Sequence, residues 1–204
     1  MKHLTGNISR TTAALPESIH LWGETLSLDF ANTVDWSADD EHVDATETDV
    51  LREPAMLLTW GQRLGLLAAA DMPVPDADEW GRARELRDAT YRVFAALATG
   101  RPAPTDDLRT VHDSYAEAVT HGGLVADAGV YRFTWDPHDV RAVRLAVAHD
   151  AAMLLQDPER LARVTRCPGR GCGWLFLNLS GRRRWCSMST CGSREKMRRQ
   201  RQRS

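Results

Sequence analysis

Apolar residues recur every three to four positions through much of the chain before residue 157, a spacing typical of amphipathic helices. One stripe runs from Met56 to Leu67 and follows Pro54, which suits the first turn of a helix because no backbone N–H is needed there. A longer stripe runs from Trp80 to Leu97, after an acidic cap at Asp76 or Asp78. The pattern therefore predicts two helices in this part of the chain.

Two more helices and a hairpin are predicted further along, so the fold class is mainly α with a small β-hairpin. A third helix opens at Thr105, and a fourth runs from about Asp136 to Gln156. Between them, the alternating residues from Val130 to Trp135 follow the turn sequence Asp127-Ala128-Gly129, which predicts the hairpin. The residues expected to face inward from the third helix are Leu108, Val111, Tyr115 and Val119.

Three segments have weaker patterns. Residues 1–18 predict a leader that adds at most an edge strand, and residues 37–50, which are rich in acids, predict an exposed loop. The apolar run from Leu26 to Val34 is compatible with a strand or a helix. The N-terminus lacks the apolar core of a signal peptide, and no apolar run approaches the roughly 20 residues that span a bilayer. We therefore expect a cytoplasmic protein with no membrane partner.

Charge is strongly segregated along a chain whose formal net charge is −2. From Arg163 to Ser204 there are 12 basic residues and one acid, Glu195, whereas the other 162 residues hold 14 basic and 27 acidic residues. The acidic part repels polyanions and the basic part attracts them. We predict a helical domain over residues 1–160 and a basic module over residues 161–204. Arginine outnumbers lysine by 24 to 2, a usage that favours a bacterial, GC-rich genome.

All four cysteines lie in the basic module, in the pattern Cys167-x4-Cys172-x13-Cys186-x4-Cys191. Disulfides are rare in cytoplasmic proteins, so two close pairs separated by a hairpin-length gap predict a tetrahedral metal site. We predict one zinc ion held by four thiolates, which is structural because no coordination position stays open. An iron–sulfur cluster and metal-free cysteines are the alternatives.

The residues around the cysteines predict a treble-clef-like zinc finger. Trp174 to Leu177 predicts a strand, and Arg183 to Trp185 predicts the return strand of a hairpin. Gly192 to Ser204 predicts a helix that begins at the fourth cysteine. Trp174 and Trp185 are expected to form the small core of the module, with base stacking as the alternative.

The basic residues of the module predict a nucleic-acid-binding surface, with DNA as the partner. Arginine and lysine bind phosphates, and arginine also recognises guanine in the major groove. Docking on the acidic domain and binding to another acidic partner are the alternatives. Because a single finger gives little specificity, a homodimer is also expected. The predicted contact residues are Arg182, Arg183, Arg184, Arg194, Lys196, Arg198, Arg199 and Arg201.

No enzyme activity is predicted, because the common nucleotide-binding, metalloprotease and serine-hydrolase motifs are absent from the sequence. His149 and Asp150 could form an acid–base pair, with a hydrogen-bonded structural histidine as the favoured alternative. Capping or turn hydrogen bonds are the alternative for the polar residues near Leu26 to Val34. The candidates there for a pocket that binds an unknown small molecule are Trp22, Asp29, Asn32 and Trp36.

Several of these motifs resemble those of a known bacterial family. The segment with Leu28, Phe30, Asn32 and Thr33 resembles the start of the ABATE domain. The segment from Cys167 onward resembles the CGNR zinc finger that follows this domain in the family. The motifs that carry this second resemblance are Trp174-Leu175-Phe176-Leu177, Arg183-Arg184-Trp185-Cys186-Ser187-Met188 and Cys191-Gly192-Ser193-Arg194. The resemblance implies a stress-related transcription regulator with a ligand-sensing helical domain and a DNA-binding finger. Ser193 stands where the family signature has Asn, and Asn178 where the family has Asp. A finger that binds a protein partner, and a small-molecule-binding domain with an accessory finger, are the alternative functions.

Overall fold

The computed structural model describes residues 21–36, 49–69 and 71–202. Helices dominate these residues, which confirms the predicted fold class. The helices are α1 (Leu26–Ala31), α2 (Pro54–Arg63), α3 (Ala77–Ala98), α4 (Thr105–His121), α5 (Ala142–Leu155), α6 (Pro158–Leu161) and α7 (Ser193–Arg201). The strands are β1 (Gly123–Asp127), β2 (Val130–Thr134), β3 (Val164–Arg166) and β4 (Leu175–Leu177). The predicted leader at residues 1–18 lies outside the described residues.

The core of the helical domain is built around α5. Residues on nearly every side of this helix are buried, whereas a surface helix hides only one face. The helix packs against α1, α3 and α4, and small side chains such as Ala148 and Ala151 allow this close approach. The apolar spacing of this segment predicts Val140, Val143, Val147, Ala151 and Leu154 as its buried side, and the last four are buried while Val140, before the helix, is half-buried.

The longest helix, α3, connects the centre of the core to the C-terminal module, because it packs against α1, α4 and α5 and also against β3 and β4. The Asp76 carboxylate accepts a hydrogen bond from Glu79 N at 2.8 Å, which confirms one of the two predicted caps. Gly100, with φ +72°, follows the end of the helix.

Among the described residues, no helix has both the length and the apolarity needed to cross a bilayer.

The predictions for α4 and α5 need two corrections. Leu108 and Val119 are 42 % and 46 % exposed, so the prediction that they face inward is wrong. The contact line of α4 follows Val111 and Ala118, which lie seven residues apart on one side of the helix.

The prediction that the fourth helix starts near Asp136 is also wrong, because α5 begins at Ala142. The Asp136 carboxylate accepts from His138 N, and the Asp139 carboxylate accepts from Arg141 N, each at 2.9 Å. Such local hydrogen bonds form turns that compete with a helix.

A buried ion network joins α3, α4 and α5. Arg144 of α5 is 1 % exposed and donates hydrogen bonds to Glu79 and Glu117 at 2.8–3.0 Å. Arg82 also pairs with Glu117. The Arg144 hydrogen bonds are the largest cause that lowers the pKa of Glu117, to about 2, whereas burial raises the pKa of Glu79. The network satisfies a charge inside an apolar core, where an unpaired guanidinium would be strongly destabilising.

The predicted β-hairpin is confirmed, with β1 and β2 antiparallel and Asp127 opposite Val130. Ala128 and Gly129 connect the strands, and both have positive φ, as a two-residue hairpin turn of type I′ requires. The hairpin leaves several apolar side chains in solvent, including Leu124 and Tyr131.

The structure decides between strand and helix for one segment before α2 and corrects the prediction for another. The run from Leu26 forms the helix α1, capped by the Thr25 hydroxyl, which accepts from Leu28 N. The predicted exposed loop over residues 37–50 is wrong at Asp49, which is 1 % exposed and pairs with the buried Arg87 at 2.7 Å. A buried arginine needs this partner, which lies far from it in sequence. Residues 37–48 lie outside the described residues.

The C-terminal sheet differs from the prediction. β4 pairs antiparallel with β3, with Thr165 opposite Phe176, so the predicted return strand at Arg183 to Trp185 is wrong. The Asn178 side chain instead closes the loop after β4. Its amide donates to Arg183 O at 3.0 Å, and its oxygen accepts from Arg183 N at 3.1 Å. These two bonds replace the ladder that a second hairpin strand would supply.

Candidate metal centre and basic surface

The four cysteine sulfurs converge on one point. All four Sγ atoms lie within 4.8 Å of one another, and no other group of three or more metal-binding side chains is found among the described residues. The Sγ of Cys186 is 3.8 Å from that of Cys172 and 3.6 Å from that of Cys191. Zn–S bonds of about 2.3 Å in a tetrahedron place sulfurs about 3.8 Å apart, so the spacing fits zinc.

Tight turns bring the first pair of cysteines to this point. Cys167 N donates to Trp174 O, and Cys172 N donates to Gly169 O, each at 2.8 Å. A Cβ on Gly169 would lie 2.9 Å from the Sγ of Cys191 and 3.4 Å from that of Cys167. The sulfurs therefore occupy the space that a side chain at this position would need.

Hydrogen bonds to sulfur prepare the site for thiolates. Donation from the Cys172 and Cys186 thiols and from Cys186 N holds the pKa of the Cys167 thiol well below its usual range. Cys167 accepts the hydrogen bond from Cys186 N at 3.4 Å. A metal ion supplies the charge that lets the remaining thiols lose their protons as well. Four thiolates suit a structural ion that fixes the fold, because they leave no coordination position open.

The core beside the sulfurs is small and aromatic. Phe176 is fully buried, and Trp174 and Trp185 pack against the cysteine cluster, which confirms their predicted role. Trp22 joins them, with its ring centroid 5.4 Å from that of Trp174. So few apolar residues cannot stabilise a module of this size alone.

The fourth cysteine leads directly into the basic helix. Cys191 lies in a π-helical turn, Met188–Gly192, and α7 begins at Ser193, close to the predicted start. The Ser193 hydroxyl donates to Met188 O at 2.9 Å, so this side chain is used inside the turn. α7 contributes no buried residue, and its position therefore depends on the turn that holds Cys191.

The predicted DNA-contact residues fall into three groups. Arg198 and Arg199 are exposed and both pair with Glu195, at 2.8 and 2.9 Å. Arg183 is held within the folded chain, because its guanidinium donates to the carbonyls of Trp22 and Cys186, pairs with Glu24 at 3.1 Å and lies over the Phe176 ring. The remaining residues are exposed and form no ion pair among the described residues: Arg182, Arg184, Arg194, Lys196 and Arg201.

A cleft of about 380 Å³ lies between α7 and the loop that precedes Cys186. Trp185 supplies an aromatic wall and Gly192 lies beside it. The charged side chains that line the cleft are Arg184, Glu195, Lys196 and Arg199. The sequence predicted the basic residues here, but it did not place Glu195 among them.

Two families match consecutive parts of the chain. Residues 24–158 match ABATE, described as "Putative stress-induced transcription regulator", and residues 163–204 match the CGNR zinc finger. The chain belongs to the ABATE family. No curated protein matches it significantly. The two matches confirm the family and the order of the two parts, and neither family is an enzyme family. Together with the sulfur cluster, the CGNR match supports zinc binding.

The residues predicted to line a ligand pocket lie where the ABATE domain meets the CGNR finger. Asn32 donates to Leu175 O at 2.8 Å and accepts from Leu175 N at 2.9 Å. Asp29 accepts from Gly23 N at 2.7 Å, and Trp36 donates to Ala31 O at 2.8 Å. Ligand binding here remains a prediction, and a ligand would have to replace these contacts.

A second set of contacts at this junction was not predicted. The Tyr91 ring of α3 stacks on Trp36 with centroids 3.7 Å apart, and its hydroxyl donates to Gly173 O at 2.9 Å. Gly173 follows Cys172, and a Cβ there would lie 2.5 Å from the Tyr91 oxygen. Trp174 donates to Asp35 at 2.9 Å. The ABATE domain therefore holds the first cysteine turn directly, through partners far apart in sequence.

The candidate acid–base pair in α5 has structural partners. Asp150 accepts from Ser27 N at 2.8 Å. The His149 ring stacks on Phe133 with centroids 5.0 Å apart, and burial lowers the pKa of His149. These contacts favour the structural interpretation of this histidine. The predicted division after residue 160 stays a prediction, because Val164 and Leu175 belong to the same apolar core as the ABATE helices.

Proposed function

We propose that this protein is a DNA-binding transcription regulator whose CGNR finger, organised by one structural zinc ion, contacts duplex DNA through α7 and the loop at residues 182–184. The observation that carries the proposal is the exposure of α7. This helix buries no residue in the chain, is rich in arginine, and starts two residues after a metal ligand. A helix in this state is free to bind something else.

The charge of this surface favours a polyanion. Arg184, Arg194 and Arg201 are exposed and make no ion pair within the described residues. Each such side chain can neutralise a phosphate and release condensed counterions. The acidic helical domain would oppose wrapping of DNA around the whole protein, so the contact is confined to the finger.

The size of α7 fits a groove contact. Its nine residues make a helix about 14 Å long, comparable to the roughly 12 Å width of the major groove. Such a helix reaches only a few base pairs. A single finger therefore needs a second contact to reach useful specificity.

Binding is tested by fluorescence anisotropy of a labelled duplex over a range of salt concentrations. We expect a steep dependence of affinity on salt, with a slope that falls by about one unit when Arg201→Ala or Arg184→Ala removes a phosphate contact. The matched control is Arg109→Ala on α4, where an exposed arginine of the helical domain is removed and the slope should not change.

Two results would contradict DNA binding. One is affinity for DNA that does not respond to salt or to these substitutions. The other is a protein partner that remains bound to the finger after nuclease treatment while the purified protein shows no affinity for duplex DNA. The second result would favour the protein-interaction function instead.

We further propose that the protein forms a dimer through the β1–β2 hairpin. The finger of the second copy then makes the second DNA contact. Leu124, Val125 and Tyr131 are 68 %, 54 % and 74 % exposed on this hairpin. The strand register puts Leu124 and Tyr131 on one face and Val125 on the other, and exposed apolar side chains on an open two-stranded sheet are typical of an interface. Sedimentation equilibrium should give a dimer that Leu124→Ser with Tyr131→Ser converts to a monomer; a monomeric wild-type protein would contradict the proposal.

The helical domain is proposed to sense a small molecule and to act on the finger at their junction. Trp22, Asp29, Asn32 and Trp36 all lie there, and changes in their contacts would alter how Leu175 and the cysteine turns are held. Native mass spectrometry of the purified protein should detect a retained molecule, and its removal should change DNA affinity. No bound molecule under native conditions would contradict ligand sensing.

A further inference from the structure

Glu195 is the one acid between Arg163 and Ser204, and it lies inside the surface proposed to contact DNA. Its side chain is 17 % exposed and lines the cleft beside α7 together with Trp185 and Lys196. The carboxylate accepts from Arg198 at 2.8–2.9 Å and from Arg199 at 2.9 Å. A negative charge at this position must be explained, because it repels phosphates.

Helix stability favours an acid here only modestly, because Glu195 lies in the first turn of α7, where the helix dipole contributes about 0.3–1 kcal/mol. Pairs at i,i+3 and i,i+4 on an exposed helix contribute only a few tenths of a kcal/mol each. The Arg198 and Arg199 side chains are about half exposed, so either can leave the carboxylate at little cost. The pairs therefore keep the cations near Glu195 in the free protein without fixing them there.

The chemistry of a carboxylate limits what it can accept. A glutamate carboxyl is ionised at neutral pH, and the two arginines lower the pKa of Glu195 further, so the group acts only as a hydrogen-bond acceptor. In the major groove, guanine and thymine present acceptor oxygens that repel it. Adenine presents an amino donor beside its own N7 acceptor, whereas cytosine presents an amino donor and no acceptor on the major-groove edge of the same base.

We propose that Glu195 is a specificity-determining residue that accepts a hydrogen bond from the N4 amino group of a cytosine in the major groove. On binding, Arg198 and Arg199 exchange the carboxylate for DNA phosphates. The inference rests on the proposed function, because it requires α7 to enter the groove. It assigns recognition of one base to one side chain, while the surrounding cations supply affinity.

The experiment is selection of bound duplexes from a randomised library by the full-length, zinc-loaded protein and three variants. The wild type should prefer cytosine at one position by about tenfold, since a good contact to a base edge is worth about 1–3 kcal/mol. Glu195→Gln should shift the preference at this position to adenine, because an amide matches the adjacent donor and acceptor of that base. Glu195→Ala should lose the preference.

Glu85→Gln is the control, because it removes the same charge from an exposed position of α3. Its base preference should equal that of the wild type. Unchanged preference in both Glu195 variants, with tighter binding to all sequences, would overturn the inference and leave DNA binding intact. A wild type without any base preference would overturn it as well. A wild type that fails to bind duplex DNA would instead refute the proposed function, and the inference with it.

Discussion

The helical domain and the finger are stabilised in opposite ways. The helical domain buries α5 on nearly all sides and neutralises Arg144 with two acids inside the core. The finger buries Phe176 and a few tryptophan contacts around four sulfurs. Burial of apolar area stabilises the first part, and binding of a metal ion must supply what the second part lacks.

The comparison teaches that size decides which means a domain can use. Segments of about 40 residues bury too little surface to fold alone, so metal or disulfide links are usual. Part of the finger is stabilised by apolar burial, because β3 and β4 place Val164 and Leu175 in the core of the helical domain. The first cysteine turn is also held by Tyr91 through Gly173, whereas α7, which buries no residue, receives no such support.

Removal of zinc is expected to have the largest effect. Metal binding contributes on the order of 10 kcal/mol to small zinc modules, so the cysteine turns and α7 should become disordered while the ABATE helices persist. Circular dichroism should show loss of a small helical fraction, and DNA affinity should disappear with it. Cys172→Ser should reproduce the result, and an ordered α7 in protein shown to be free of metal would contradict the comparison.

Substitution of the buried arginine is expected to have the next largest effect. Arg144→Met leaves Glu79 and Glu117 without a cation in the core, which should lower the free energy of unfolding by about 3–5 kcal/mol. Urea denaturation of zinc-loaded protein measures the change. Arg132→Met, which removes an exposed pair with Asp127, should cost below about 1 kcal/mol. Equal losses in the two variants would show that burial of the network is unimportant.

Asn32→Ala tests the junction between the two regions. The substitution leaves the N–H and C=O of Leu175 without their partners, which should cost about 1–3 kcal/mol. Hydrogen exchange should accelerate at Leu175 more than in α5. Gln62→Ala is the matched control, since it removes one side-chain hydrogen bond to Ala68 O away from the junction. Unchanged exchange at Leu175 would mean that the finger does not depend on this contact.

The last test of the comparison is acid sensitivity at Glu117. Its pKa in the folded state is about 2, below the ordinary 4.5, so its contribution to stability is complete above about pH 5 and is lost as the pH falls towards 2. Glu117→Gln should therefore flatten stability against pH in this window. The measurement uses metal-free protein, in which protonation of zinc-bound thiolates plays no part. The same slope in both proteins would contradict the assignment.

Local signals predicted the parts of the fold that local interactions determine. Pro54 marks a helix start through its fixed φ angle and Asp76 through a cap, Thr105 is the first residue of α4, and the turn residues before Val130 determine the hairpin. The sulfur cluster was predictable for the same reason, because each cysteine pair is joined by a short turn. The matched families confirm this interpretation of the C-terminal residues.

Contacts between distant residues could not be predicted from one sequence. Arg144 lies within an apolar stripe, and its partner Glu79 is 65 residues away. Arg182, Arg183 and Arg184 are chemically alike, yet the middle one is turned into the module by carbonyls that only the folded chain brings near it. The sequence therefore identified a basic surface but did not show which cations remain available.

The hydrogen bonds between Asn32 and Leu175 and between Tyr91 and Gly173 limit how the two parts of the chain can be exchanged in evolution. A chimaera that joined this ABATE domain to a foreign finger at residue 160 would have to supply β3, β4 and a tight glycine turn of matching shape, or else expose Leu28 and its neighbours. Recombination between relatives should therefore give a folded protein when the ABATE domain and the finger are inherited together. It should give insoluble products when the two come from different parents.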